Sequence, residues 1–242
     1  MSIRRLWAVS HRILSQLRHD PRTIALMILA PILLMTILKY VYIDQPQVFQ
    51  KVAAALLGVF PMLIMFLITS VATLRERTSG TLEKLLILPI TKLEFILGYA
   101  KAFGIAALIQ ATIVTTIAIG PLGLKIAGAQ YMLIVVATLD ALLGLSMGLF
   151  VSSLAKTEFQ AVQFMPTVLL PQLLLSGLLA PRDSLPIVLK QISDFMPLSY
   201  AVDATQKVIS GQGSLRTDFL VITLFLILLL GAGAATLKRQ SR

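Results

Sequence analysis

The chain has 242 residues, 57% hydrophobic and 13% charged, where an average soluble domain carries roughly 25% charged residues. That excludes an ordinary soluble fold, and six spans of about 20 residues each would absorb roughly 120 of its roughly 138 hydrophobic positions. The absence of cysteine excludes disulfides, thiolate metal sites and a cysteine nucleophile, and in so apolar a chain the net charge of +10 bears on topology before it bears on nucleic acid.

Only helices and closed barrels satisfy every backbone group in hydrocarbon, and no segment alternates with a period of two, so the reading is an all-α integral membrane protein. A single transmembrane domain is expected over 1–242. It opens with an amphipathic helix over 1–20, in which Ile3, Leu6, Trp7, Ile13, Leu14 and Leu17 share one third of the wheel opposite Arg4, Arg5, His11, Arg12 and Gln16. This pattern predicts a helix lying in the membrane interface, ended by Pro21. The lack of a small-x-small site after the first apolar stretch speaks against a cleaved leader.

Six spans follow, predicted at 24–43, 53–74, 102–124, 132–155, 159–180 and 219–237. Six spans place both termini on one side. With that side cytoplasmic, 14 of the 21 lysines and arginines fall inside, as the positive-inside rule favours. Between spans two and three, a short amphipathic helix is predicted over 76–86, with Leu82, Leu85 and Leu86 on one face. The external segment 182–218 is expected to hold two short helices: one capped by Ser184, and one from about Ser199 to Gly211, with Pro197 between them.

Catalytic signals are weak. Gly123 and Gly128 have the spacing of a phosphate loop, but Ala129 and Gln130 replace its lysine and hydroxyl. His11 and His19 are too far apart for a compact metal pair, and serines within the spans lack a nearby base.

Asp140 is the one acid deep in a span, which makes it a functional hypothesis by default. Lys39 and Asp140 each lie 15 residues from the expected inner boundary, about 23 Å deep, so they are expected to pair. Alternatives are a hydroxyl partner for Asp140, a substrate or proton role, and a snorkelling Lys39. Gly144, Gly148 and Ser152 form a small-residue face suited to close helix packing, within the subunit in preference to a dimer seam. The fifth span carries Pro166 and Pro171 with Gln160, Gln163 and Gln172. Gln163, Phe164, Met165 and Gln172 are candidates to line an adaptable pathway, although kinks that merely fit neighbouring helices read equally well.

The segment 74–103 is the most specific. Arg77, Gly80, Thr81, Leu82, Glu83, Leu86 and Pro89, followed by Glu94 and Gly98, read as R-x-x-GTLE-x-LL-x-x-P and then E-x-x-x-G. Together with SGLLAPRDSLP and DFMPLSYAVDATQKVISG, they resemble the ABC-2 type permeases, the membrane subunits of ABC exporters. Tyr99 departs from the pattern where a lysine often follows the glycine, and Ala180 where an aromatic is usual.

The resemblance implies a permease without its own ATPase, metal or nucleic-acid site. Its 76–86 helix would couple to a separate ATPase subunit through Arg75, Glu76, Arg77, Gly80, Thr81, Leu82, Glu83 and Leu86. The first helix, with Arg4, Arg5, Trp7 and Arg12, would lie beside that ATPase. The chain itself would bind no cofactor, ATP and Mg being held by the partner. Expected partners are two ATPase copies, a second permease subunit forming a homodimer in preference to a heterodimer, and membrane lipid. The expected setting is a prokaryotic plasma membrane, and the expected role is export of a drug, lipid or lipid-linked molecule. Rival readings are an ion-coupled carrier using Asp140, and an ABC-linked complex that senses or remodels the membrane.

Overall fold

The computed structural model describes residues 2–81 and 91–236, and among these the chain is all helical. The elements are α1 (Ile3–Arg18), α2 (Pro21–Val41), α3 (Pro46–Leu57), α4 (Phe60–Thr78), α5 (Lys92–Ile119), α6 (Gln130–Ser152), α7 (Glu158–Leu175), α8 (Ile187–Asp194), α9 (Pro197–Ser210) and α10 (Arg216–Thr236). Among the described residues, five stretches are long and apolar enough to cross a membrane: α2, α3 with α4, α5, α6 and α10.

Three boundaries depart from the hydropathy reading. The expected span 53–74 is part of a 33-residue stretch, Pro46–Thr78, broken at Gly58 and Val59. Pro61 lacks an amide hydrogen and its ring opposes the carbonyl four residues earlier, so the helix restarts around it. The expected span 102–124 becomes the 28-residue α5, which starts at Lys92 because Thr91 and Glu94 form a capping box, and stops at Ile119 before Gly120 and Pro121. At about 42 Å it is longer than the hydrocarbon core, so one end projects. The fifth expected span, 159–180, is the 18-residue α7, which ends at Leu175 ahead of Gly177 at φ 92°.

The external segment differs in its caps. Ser184 does not start a helix; it closes a 3-10 turn, Arg182–Ser184, and its hydroxyl donates to the Pro181 carbonyl. Pro186 precedes α8 without a side-chain cap. Pro197 occupies the first turn of α9, and Gly211, at φ 67°, ends that helix in the left-handed conformation.

α4 and α6 form the spine. A Cβ on Gly144 would stand 2.2 Å from the Met62 carbonyl oxygen, and one on Gly148 2.6 Å from that of Phe66. The small-residue face therefore lets two backbones touch within one subunit. α2 and α10 flank the bundle and leave Leu29, Leu33, Ile37, Leu220, Leu224 and Ile227 exposed, the surface a bilayer would cover. α9 packs Ala201, Val202 and Thr205 against Gly58 and so closes over the α3–α4 break.

Candidate functional site

Arg75, Glu76 and Arg77 are consecutive on the last turn of α4, and at 100° per residue they face three different neighbours. Arg75 donates to both carboxylate oxygens of Glu158 on α7, at 3.0 and 3.1 Å, in a bidentate and exposed pair. Glu76 is buried. One of its oxygens lies 2.8 Å from Arg12 of α1, and the other accepts from the Tyr99 hydroxyl of α5. Arg77 donates to the carbonyl of Ser152 at the end of α6, where cations complement the helix dipole. Three adjacent side chains thus join the foot of α4 to α1, α5, α6 and α7.

Burial alone would loosen the hold of Arg12 on its proton; the hydrogen bond and charge of Glu76, with a smaller share from Tyr99, more than reverse this, so the guanidinium titrates above its ordinary value. After Ser79, Gly80 turns the chain at φ 71° with open space around it, and the Ser79 and Thr81 hydroxyls stand 3.0 Å apart. The predicted 76–86 helix therefore does not begin at Glu76: residues 76–78 complete α4, and a left-handed glycine ends it. Leu82, Glu83 and Leu86 lie outside the described residues.

α1 is helical as expected, and its inward face is rotated from the one the helical wheel selects, sharing Ile13, Leu14 and Leu17 with it. Val9, Ser10 and Ile13 are buried, whereas Ile3 and Trp7 are exposed. The cause is Gly98 of α5, where a side chain would collide with Val9 at 2.5 Å. Ser10 seals the contact by donating to the Gly98 carbonyl at 3.1 Å. In the same rotation Arg12, expected on the solvated side, turns inward to Glu76. Trp7 remains at the rim with the Lys101 ammonium 2.8 Å from its ring centroid. Arg4 and Arg5 lie on the exposed side. Glu94 anchors the start of α1 by accepting from the Ser2 amide at 2.6 Å.

A cavity of about 760 Å³ opens beside this junction, between α1, α2, α4, α5 and α7.

Lys39 and Asp140 do not pair. Lys39 donates to the Pro121 carbonyl at 2.7 Å, and Asp140 accepts from the Met62 amide at 3.1 Å. The depth count fails because the helix ends differ from those assumed. Lys39 stands 18 residues from Pro21 and Asp140 12 from Ser152, which separates their heights by about 9 Å. Asp140 instead caps the restarted helix α4, whose first amides carry positive partial charge.

The four pathway candidates do not share a face. Gln163 is exposed, and Phe164 and Met165 pack into the core around Phe66. Gln172 is buried, donating to the Val168 carbonyl and accepting from the Leu198 amide at 3.4 Å, so it ties α7 to α9. Tyr99 and Glu158 were not selected from sequence as site residues. The usable signals were an acid immediately after the Thr157 cap of α7, and a tyrosine next to the glycine of the motif.

The chain matches the ABC-2 type transporter family over residues 4–209. It is 30% identical over 164 residues to the probable multidrug ABC transporter permease YbhR of Escherichia coli, covering 68% of this chain and 45% of that relative. It is 29% identical over 148 residues to the E. coli inner membrane transport permease YhhJ, covering 61% of this chain and 40% of the relative. ABC transporter G family member 20 of Dictyostelium discoideum is 27% identical over 180 residues, covering 72% of this chain and 25% of its own. The chain thus spans less than half the length of these relatives.

Proposed function

Because the chain belongs to the ABC-2 type transporter family, we propose that it is the permease subunit of a bacterial ABC exporter, resident in the inner membrane and moving an apolar or amphipathic solute outward. ATP and Mg would be bound and hydrolysed on a separate nucleotide-binding subunit present in two copies. In this reading α7 also crosses, as the fifth of six spans in chain order, both termini are cytoplasmic, and the foot of α4 with the segment after Gly80 is the docking element. The permease relatives support this reading, as does the excess of basic residues at the α1 end.

The observation that carries the reading is the Arg75–Glu76–Arg77 junction. A push on the chain just after Gly80 reaches α1, α5, α6 and α7 through ion pairs and hydrogen bonds, as a transmission point requires. A second copy of the chain would complete the pathway. α7 presents Gln163 and Thr167 on an exposed stripe, and two such stripes facing each other would enclose polar groups that lipid disfavours.

The test uses the natural lack of cysteine. Thr81→Cys should cross-link to the co-purified ATPase subunit, and vesicles holding the complex should transport only with ATP. Glu76→Gln should leave ATP hydrolysis running while transport drops. Transport driven by a proton gradient without nucleotide would overturn the reading.

A further inference from the structure

We infer that the cavity beside α1 is a binding site for an amphiphile with an anionic headgroup, drawn from the leaflet at that end of the bundle. This deepens the exporter reading by naming a ligand class, and rests on it only for that leaflet being the cytoplasmic one. The volume, about 760 Å³, falls within the range of small-molecule sites, roughly 300–1,000 Å³.

The lining has two kinds of surface. Leu26, Leu67, Ile68, Val71, Phe103 and Val162 form an apolar wall, and Gln16, Asp20, Arg22 and Arg75 bring polar groups at the α1 end. Such a lining suits a molecule with one apolar and one charged end better than a uniformly apolar solute.

The charges decide the sign of the headgroup. Glu76 is matched by Arg12, and Arg75 by Glu158. Asp20 accepts from the Thr23 amide at 3.2 Å and from its hydroxyl at 2.7 Å, which turns its carboxylate toward the start of α2 and away from an incoming headgroup's place beside Arg22. Arg22 lines the same cavity, is exposed, and has no ion pair among the described residues. It also sits in the first turn of α2, where the helix dipole adds to its field. An incoming phosphate or carboxylate would therefore meet an unspent guanidinium, which can bind it bidentately, beside acids already engaged.

The experiment places the full chain in phosphatidylcholine nanodiscs and measures binding of fluorescent-acyl phosphatidylglycerol against the matching phosphatidylcholine probe. The expected result is saturable binding with about a fivefold preference for the anionic lipid. Arg22→Gln should remove that preference, Arg22→Lys should keep it, and Val71→Trp, which fills the apolar wall, should weaken both probes. Glycerol phosphate in excess should not displace the lipid. Equal binding of the two lipids, a preference that survives Arg22→Gln, or displacement by glycerol phosphate would each overturn the inference. If Val71→Trp fails to fold, the two Arg22 variants carry the decision, because their side chain is exposed. No nucleotide or ATPase enters this measurement, so a failed transport assay and a failed binding assay are separate results.

Discussion

The Arg12 guanidinium and the Glu76 carboxylate meet at 2.8 Å, joining the first helix of the chain to the last turn of α4, and the Tyr99 hydroxyl closes the group from α5. Both charges are largely removed from solvent, so each depends on the other. Removing one alone strands its partner.

Arg12→Gln and Glu76→Gln should each therefore destabilise the protein by about 2 kcal/mol, below the cost of breaking a fully buried pair because some solvent remains. The double variant should lose less than the two single losses combined. Thermal unfolding of the purified chain in detergent checks this; strict additivity would mean that the pair is not a coupled unit.

Gly144→Leu should separate α4 from α6, since its first added carbon already overlaps the Met62 carbonyl. The expected cost is about 3 kcal/mol or more. Gly231→Ala, on α10 with nothing within 4 Å of the new carbon, should be neutral or slightly stabilising. Folded yield by fluorescence-detected gel filtration distinguishes the two.

Lys39→Met should change stability by less than about 0.5 kcal/mol, because it gives up one half-exposed bond to a carbonyl. Asp140→Leu should sharply lower folded yield by leaving the Met62 amide without its acceptor. Combining them should give the sum of the separate effects, whereas recovery in the double variant would restore the pairing that the geometry denies.

Asp20 supplies a pH dependence. Hydrogen bonds from the Thr23 hydroxyl, and then from its amide, hold the Asp20 carboxyl below the ordinary aspartate value. A depressed carboxyl stabilises the fold above the unfolded value, and that contribution fades as pH falls through the lower folded value. Asp20→Ala should cost about 1 kcal/mol near neutral pH. The advantage of the wild type over Asp20→Asn should shrink between about pH 6 and pH 3. Parallel melting curves at the two pH values would reject the assignment.

How far the sequence could be read depends on the range of the forces involved. Apolar runs mark membrane-length helices because hydropathy is local, yet the same continuity masked the interruption at Gly58 and Val59, although Gly58 and Pro61 stood in the sequence. Amphipathic spacing identified α1, but its inward face is chosen by Gly98, 88 positions away from the Ser10 that bonds to it. The motif around Arg75 to Gly80 was visible as residues. Its partners were not, since Arg12, Tyr99, Ser152 and Glu158 reach it only through tertiary packing. Counting residues from assumed helix ends failed for Lys39 and Asp140 because a few residues of error at each end become ångströms of height.

The bond from the Met62 amide to Asp140 spans 78 residues of chain. During synthesis the broken helix enters the bilayer well before α6 exists to cap it. Through that interval the exposed amide must borrow water or another carbonyl, so a nascent chain halted before Asp140 should hold its second hydrophobic segment less firmly than one halted just beyond it. The order in which the ribosome delivers α4 and α6 is thus part of how this fold is reached.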